Sequence, residues 1–270
     1  MERELTVPVH SGEYLRLGPL QTRIKTHRRY SEHVDDVEAA VMAQLWLQPR
    51  ESLLDVGCGT GSFLARLRDS GHSGPLSGLD SSPAASLACA EIRGVRAVVG
   101  DAVQLPFPNA EFDAVTARHM LYHVSDVPAA LRETSRVLRA GGRFVAVVNH
   151  ADVTPRIASV VREQAARHGA TPSVSPNAEV NSASLPAQMA EVFGPVDVVA
   201  HDNSLVFDTP EPVVAFGQAL MNFYGVGDDS PEQEAVAAGI EQAVRAWFAR
   251  NSGPWRDPKG YVVCTARRRD

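Results

Sequence analysis

Short apolar runs alternate with helical segments between residues 52 and 149, and this alternation constrains the fold more than any other feature of the sequence. Unbroken apolar runs of strand length are typical of strands that are buried on both faces. A chain that alternates them with helices forms a parallel sheet with helices on both faces, and its right-handed crossovers bring the ends of the strands to one edge, where ligands bind. The runs are 52–56, 76–79, 95–99, 112–116 and 143–149, and helices are predicted at 63–67, 82–92 and 127–138.

The residues outside this region follow a less regular pattern. Residues 1–30 are polar and interrupted by glycine and proline, whereas residues 31–47 have apolar positions at helical spacing. The remaining chain is predicted to form helices at 154–169, 185–193, 212–224 and 231–250, a loop at 170–183, and strands at 196–207 and 261–266.

Composition and charge exclude several classes of protein. Hydrophobic residues make up 44% of the 270 residues, which is enough for a sizeable core, and the net charge of −6 disfavours a dedicated nucleic-acid binder. No apolar run approaches the roughly 20 residues that span a bilayer, so no membrane partner is expected. Three cysteines without paired spacing, and a start that lacks the order of a signal peptide, make the cytoplasm the expected location.

Three alternating glycines, Gly57, Gly59 and Gly61, follow the first predicted strand and precede a helix. Glycine permits a sharp turn with positive φ and a close approach of the backbone to a ligand. The first turn of the following helix offers free N–H groups and the positive end of its dipole. We therefore expect a compact polar or anionic ligand group here, although a tight strand–helix turn has the same pattern. The G-x-G-x-G spacing departs from the G-x-G-x-x-G of dinucleotide-binding proteins.

Two aspartates end the next two predicted strands. Asp80 is placed to accept hydrogen bonds from both hydroxyls of a ribose, or to cap the helix that is predicted to begin at Ser82-Pro83. Asp101 is placed to accept a hydrogen bond from an adenine amino group, or to serve as a plain turn residue. A glycine loop and two carboxylates at successive strand ends together favour a nucleoside-containing cofactor.

These motifs resemble those of the class I S-adenosylmethionine-dependent methyltransferases, in their small-molecule branch, over residues 34–149. The resemblance lies in Leu53–Phe63, Leu79–Pro83, Gly100–Ala102 and Leu131–Gly142. It implies a Rossmann-like α/β fold with a seven-stranded, mostly parallel sheet whose last strand is antiparallel. It also implies that the glycines contact the methionine part of the cofactor, that Arg118 contacts it through its backbone, and that Asp80 and Asp101 bind ribose and adenine. The cofactor-binding set is then Asp55, Gly57, Cys58, Gly59, Gly61, Asp80, Ser81, Asp101, Ala102 and Arg118.

The residues after the fourth strand are candidates for catalysis. His119 is the candidate base because histidine titrates near neutral pH, although it is equally suited to lining the cofactor loop. His123 and Tyr122 are further candidates, for which structural roles are the alternative. His119 and His123 lack the intervening Glu of a zincin, so no metal site is predicted. Tyr30 is a further predicted cofactor-binding residue, because it lies, like Tyr14, in a segment that is able to fold over the cofactor; packing elsewhere is the alternative.

We therefore predict an enzyme that transfers a methyl group from S-adenosylmethionine to a small-molecule acceptor, with secondary metabolites among the candidates. The alternatives are a non-catalytic S-adenosylmethionine-binding protein and a nicotinamide-dependent oxidoreductase. Residues 1–270 are predicted to form one methyltransferase domain with a cofactor-binding core at 30–150. The helices at 151–195 and 208–255 are too long for simple strand connections and are predicted to be lid insertions that bind the acceptor. The prediction leaves room for a homodimer.

Overall fold

The computed structural model of the chain describes residues 17–171 and 176–269, so Tyr14 lies outside the described part. These residues divide into two compact units. The sheet unit comprises residues 36–151, 179–201 and 261–269, and the helical unit comprises residues 17–35, 152–171, 176–178 and 202–260. The helices and strands follow one another along the chain in this order: α1 Leu17–Tyr30, α2 Val37–Leu45, β1 Leu53–Val56, α3 Ser62–Asp69, β2 Leu76–Asp80, α4 Pro83–Ala90, β3 Val95–Val99, β4 Phe112–Arg118, α5 Val127–Val137, β5 Leu138–Asn149, α6 Pro155–Arg167, α7 Leu185–Phe193, β6 Val196–Phe207, α8 Pro210–Gln218, α9 Gln233–Arg250 and β7 Trp255–Arg267.

The seven strands form one sheet in the order β3-β2-β1-β4-β5-β7-β6. Strands β1 to β5 pair in parallel, and β7 pairs antiparallel with β5. Side chains alternate between the two faces of the sheet. Leu54 and Val115 pack on one face with α5 and α7, whereas Leu53 and Ala114 pack on the other with α2, α3 and α4. The structure thus confirms the predicted fold class, a Rossmann-like seven-stranded sheet with helices on both faces.

Several boundaries differ from the predictions for identifiable reasons. Helix α1 occupies Leu17–Tyr30, which we expected to be irregular because of Gly18 and Pro19. Both residues lie in its first turn, where the missing N–H of proline costs no hydrogen bond. Strand β5 begins at Leu138 and includes Gly141 and Gly142, so it starts earlier than the predicted run at 143–149. Helix α5 ends earlier, at Val137, and the pairing of β4 with β5 is irregular at this point.

The segment 151–195, predicted to be one insertion, divides between the two units. Helix α6 belongs to the helical unit, whereas α7 packs into the core of the sheet unit, where Phe193 stacks on Phe144 of β5 at 5.4 Å between ring centres. The amphipathic pattern of α7 therefore reflects packing against the sheet.

The helical unit has its own apolar core, built around α6, α8 and α9. Its buried Asp257 accepts hydrogen bonds from the first N–H groups of α6, those of Arg156 and Ile157, at 3.0 and 2.8 Å. Burial raises the pKa of Asp257 although these bonds favour its charged form. Asp257 thus provides the N-terminal cap that α6 lacks in its own sequence. Among residues 17–171 and 176–269, no helix combines the length and apolar character needed to cross a bilayer.

Candidate active site

The ends of the parallel strands meet at one edge of the sheet unit. Val56 at the end of β1 is in register with Leu79 of β2 and Ala117 of β4. Asp80 of β2 pairs in turn with Val99 of β3. The structure therefore brings together the predicted site residues that follow these strands: Gly57, Cys58, Gly59, Gly61, Ser81, Asp101, Ala102 and His119.

The glycine loop leaves one position open for close approach. Gly57, Gly59 and Gly61 have φ angles of 67°, 55° and 83°, in the left-handed region that favours glycine. A Cβ atom on Gly57 would lie 2.7 Å from Met120, and one on Gly61 would lie 2.5 Å from Ile92. No described atom lies within 4 Å of the corresponding position on Gly59. Gly59 is therefore the glycine whose missing side chain leaves room for a ligand.

The loop is held in shape by hydrogen bonds within the sheet unit. The N–H groups of Gly57 and Cys58 both donate to the carbonyl of Leu79, at 2.7 and 3.0 Å. The N–H of Gly61 donates to the carbonyl of Cys58 at 3.0 Å. The protein alone thus fixes the turn, and the contact of these residues with a cofactor stays a prediction.

Asp80 joins the glycine loop to the next helix. One carboxylate oxygen accepts the N–H of Gly59 at 2.8 Å, and the other accepts the N–H of Ser82 at 2.9 Å. Ser82, whose side chain accepts the N–H of Ala85, is the N-cap of α4. Carboxylate oxygens have further lone pairs, so Asp80 retains the capacity to accept hydroxyl groups of a ribose. Ser81 beside it is exposed.

Asp101 and Ala102 follow the third strand, and their side chains have different surroundings. The exposed Asp101 accepts the N–H of Val103 at 3.0 Å, which is the hydrogen bond of a turn aspartate. This bond uses one carboxylate oxygen and is compatible with adenine binding by the other. The Ala102 side chain is 7% exposed and packs in the core, so a cofactor would contact its backbone.

Asp55 and Arg118 form a buried ion pair. Asp55 is fully buried and accepts hydrogen bonds from Thr116 at 2.7 Å and from Nη2 of Arg118 at 2.8 Å. The Arg118 guanidinium also lies over the Phe63 ring, 4.5 Å from its centre. Burial opposes the charge of Arg118, but the Asp55 carboxylate outweighs it and raises the pKa of Arg118. The Arg118 side chain is thus engaged inside the protein, and cofactor contacts by Arg118 and Asp55 stay predictions.

Cys58 has a buried side chain. A Cβ atom on Gly78 would lie 2.8 Å from Sγ of Cys58 and 3.0 Å from Sγ of Cys89, so Gly78 makes room for both thiols. Burial, reinforced by the negative charge of Asp55, raises the pKa of the Cys58 thiol far above its usual range. The thiol is therefore neutral, and the predicted contact of Cys58 with a cofactor would use its backbone.

The three catalytic candidates separate into two groups. The His119 ring lies 6.1 Å from the Tyr261 ring, measured between centres, with the planes at 75°. Tyr122 and His123, in the short 3₁₀ turn 121–123, contact each other at 4.6 Å between ring centres. Within the described ranges no cluster of His, Cys, Asp or Glu is arranged to hold a metal ion.

Tyr30 ends helix α1 in the helical unit. Its ring packs against Phe207, with 4.9 Å between ring centres. The described contact of the Tyr30 ring is thus a packing contact within the helical unit. Contact of Tyr30 with a cofactor stays a prediction.

Sequence reasoning missed Tyr261 and His201. Their rings stack at 4.7 Å between centres, with the planes 10° apart. The available signal was the antiparallel direction of the last strand, which places Tyr261 opposite Asn149, at the carboxyl end of β5.

Comparison with known proteins gives a family match within the sheet unit. Residues 54–146 match the model of a family described as "Methyltransferase domain". The demethylmenaquinone methyltransferase of Staphylococcus saprophyticus is 31% identical over 150 residues, which cover 54% of this chain and 61% of the relative. The first curated relatives are all matched over less than two thirds of their own length.

Two solved structures share the fold at low identity. The YcgJ protein of Bacillus subtilis has a TM-score of 0.57 and 20% identity, and the match covers 86% of this chain and 98% of that one. The [4+2]-cyclase SpnF has a TM-score of 0.53 and 19% identity, with 94% and 96% covered. The family match includes the glycine loop, Asp80, Asp101 and His119. Over residues 54–146 the chain therefore matches a methyltransferase domain, in agreement with the resemblance of its motifs to the class I, S-adenosylmethionine-dependent methyltransferases.

Proposed function

We propose that this chain transfers a methyl group from S-adenosylmethionine to a small-molecule acceptor. The observation that carries the proposal is the open position at Gly59, beside a carboxylate that also binds the Gly59 N–H. A Cβ atom would fill this space, and the backbone there is already shaped for close approach. The chain thus fits a nucleoside cofactor that has a compact polar end.

The order of the strands suggests how the cofactor lies along the edge. Asp101, Asp80 and the glycine loop follow β3, β2 and β1, which are neighbours in that order. His119 follows β4, the next strand. Binding adenine, ribose and methionine in this order leaves the β4 side for the acceptor. Holding the acceptor atom in line with the methyl group at this place would supply much of the rate acceleration, because effective molarities of well-oriented reacting groups reach about 10⁵–10⁸ M.

His119 is the proposed base. S-adenosylmethionine supplies an electrophilic methyl group, so an acceptor hydroxyl or an acidic carbon reacts faster when its proton is removed. A neutral imidazole nitrogen of His119 would take that proton as the acceptor forms its bond to the methyl carbon, while the bond from that carbon to sulfur breaks and S-adenosylhomocysteine leaves. Such proton transfer typically contributes about 10²–10⁴-fold.

The quinone relatives suggest the first acceptor to test. A quinone ring carbon is electron-poor, whereas the reduced hydroquinone is electron-rich and has hydroxyl protons for His119 to remove. We therefore propose reduced demethylmenaquinone as the first acceptor to test. Secondary metabolites as acceptors, a homodimer, a cytoplasmic location and the absence of nucleic-acid partners stay predictions. The [4+2]-cyclase with this fold makes it necessary to measure turnover as well as binding.

The test combines calorimetry with a transfer assay. S-adenosylhomocysteine should bind, and methyl-labelled S-adenosylmethionine should label the reduced probe. Binding without turnover on any acceptor tried would favour the non-catalytic alternative. Binding of NAD without a response to S-adenosylhomocysteine would overturn the proposal.

Replacement of His119 tests the base. His119→Ala should lower kcat about 10²-fold or more without weakening S-adenosylhomocysteine binding. The rate of the unmodified chain should fall at acid pH along one ionisation, since a protonated imidazole accepts no proton, and this ionisation should vanish in the variant. His119→Asn is the matched variant because asparagine tolerates the left-handed backbone found here. Unchanged kinetics in both variants would transfer the role to His123 or Tyr122.

The helical unit is the proposed source of acceptor selectivity. The family match ends at residue 146, before α6, whereas the helical unit has a separate core. Acceptors differ among methyltransferases while the cofactor stays the same. Segments outside the shared domain are therefore the expected place for residues that distinguish acceptors.

A further inference from the structure

Tyr261 contacts two histidine rings beside the carboxyl end of β5. It is in register with Asn149, the last residue of β5, and is 6% exposed. His119 contacts it with ring planes at 75°, and His201 of β6 stacks on it with planes 10° apart. The residue after β4 and residues from the middle of β7 and of β6 thus contribute one aromatic cluster, which consists of His119, Tyr261 and His201.

The backbone of His119 explains why its ring reaches Tyr261. A regular continuation of β4 would place His119 on the same face as Ala117, which packs with α5. Instead its φ of 50° ends the extended conformation, and its N–H donates to the carbonyl of Val147 at 2.9 Å. Its ring then meets Tyr261, which packs in the cluster on the opposite face.

A left-handed conformation is unfavourable for a residue with a Cβ atom and persists where surrounding contacts hold it. The hydrogen bond to Val147 holds the His119 backbone, but it leaves the χ angles of the imidazole unconstrained. The edge-to-face Tyr261 ring is one contact that limits where the imidazole lies. Its own orientation is limited in turn by the parallel stack with His201.

We propose that Tyr261 is a positioning residue that holds the His119 ring beside the reacting methyl group, and that His201 supports it. Edge-to-face rings have a preferred mutual geometry, so removal of the Tyr261 ring lets the imidazole sample other rotamers. The action of His119 as base belongs to the proposed function, on which the kinetic part of the test depends.

The test uses four variants and a readout that needs no acceptor. In protein labelled with ¹³C-histidine, the ring signal of His119 is identified by its loss in His119→Asn. Tyr261→Leu should shift and broaden this signal, because the neighbouring ring current and the steric restraint are both lost. Tyr261→Phe retains the ring and should leave the signal near its original position. Phe144→Leu, a matched loss of a buried ring on the other face of β5, should leave it unchanged.

Kinetics provide the second readout. With reduced demethylmenaquinone, Tyr261→Leu should lower kcat about 10-fold or more, since a displacement near 1 Å in a reacting group costs up to about 10²-fold. The affinity for S-adenosylhomocysteine should stay within about two-fold. A shifted His119 signal in a chain that methylates nothing would uphold the positioning role and refute the proposed function.

Two results would overturn the inference. One is a His119 signal in Tyr261→Leu that matches the unmodified chain; the other is an equal shift in Tyr261→Phe, which would assign the effect to the hydroxyl. Should Tyr261→Leu fail to fold, His201→Ala replaces it, because it removes the stacking partner and keeps Tyr261. The His119 signal should then shift or broaden relative to the unmodified chain, and an unchanged signal would contradict the proposal.

Discussion

Asp80 accepts hydrogen bonds from backbone groups of two different segments, the Gly59 N–H in the glycine loop and the Ser82 N–H before α4. Asp80→Ala should weaken S-adenosylhomocysteine binding by about 1.5–3 kcal/mol, the range for hydrogen bonds to charged groups. The variant loses the acceptor for the ribose and also leaves the Gly59 N–H without its partner. Isothermal calorimetry measures the difference in affinity.

Two further variants separate these effects. Asp80→Asn retains one carbonyl oxygen as an acceptor and should give an intermediate loss. Asp197→Ala removes an exposed carboxylate from β6 and should leave the affinity unchanged. An affinity in Asp80→Ala equal to that of Asp197→Ala would contradict the ribose assignment.

The position of a site residue could be predicted from the sequence where that residue follows a strand of the regular parallel pattern. Asp80 and Asp101 follow strands whose order and direction follow from the alternation of strands and helices, so their meeting at one edge was expected. The pair of Asp55 and Arg118 was not, because two polar residues on different strands give no sign in the sequence that they face each other. Tyr261 was missed because its position depends on an antiparallel partner that is distant in the chain.

The glycine loop makes a different prediction for each of its glycines. Gly59→Ala introduces a Cβ atom into open space, so its cost to folding is the left-handed strain alone, about 1–2 kcal/mol. Gly57→Ala adds a clash with Met120 at 2.7 Å and should lower the free energy of unfolding further. Gly59→Ala should nevertheless abolish detectable S-adenosylhomocysteine binding, because the Cβ occupies the space proposed for the cofactor. Urea denaturation and calorimetry measure the two effects.

Gly141 offers the matched control for backbone strain. Its φ of 72° is left-handed, and no described atom lies within 4 Å of a Cβ placed on it. Gly141→Ala should therefore lose about as much stability as Gly59→Ala while it binds S-adenosylhomocysteine normally. Normal binding by Gly59→Ala would show that the cofactor lies elsewhere.

Elements were predictable where periodicity and end signals agreed. The bounds of α7 and β6 match the prediction, and α4 begins after the predicted N-cap Ser82. Helix α1 was missed because proline and glycine at the start of a helix resemble a loop when they are read without the following turns. The membership of α7 in the sheet unit was also beyond local patterns, because an amphipathic helix does not indicate which core it covers.

At the scale of the whole molecule, the shared methyltransferase domain occupies one of two units. Residues 54–146 lie in the sheet unit, and the helical unit is assembled from three separate segments of the chain. Loops and insertions change faster than the elements that hold a common cofactor. We therefore predict that acceptor choice and cofactor affinity are encoded in different units.

A chimera tests this prediction. The segments 152–178 and 202–260 are exchanged for those of a methyltransferase with another acceptor, and folding is verified by circular dichroism. Acceptor preference, measured as the ratio of kcat/KM for the two acceptors, should follow the exchanged segments, because that ratio reports differential binding of the transition states. The affinity for S-adenosylhomocysteine should change by less than about three-fold, since Asp80 and the glycine loop are retained. The reciprocal chimera, in which only residues 54–146 are replaced, should keep the original acceptor. A folded chimera that retains its original preference would place the acceptor determinants in the sheet unit, next to His119 and Tyr261.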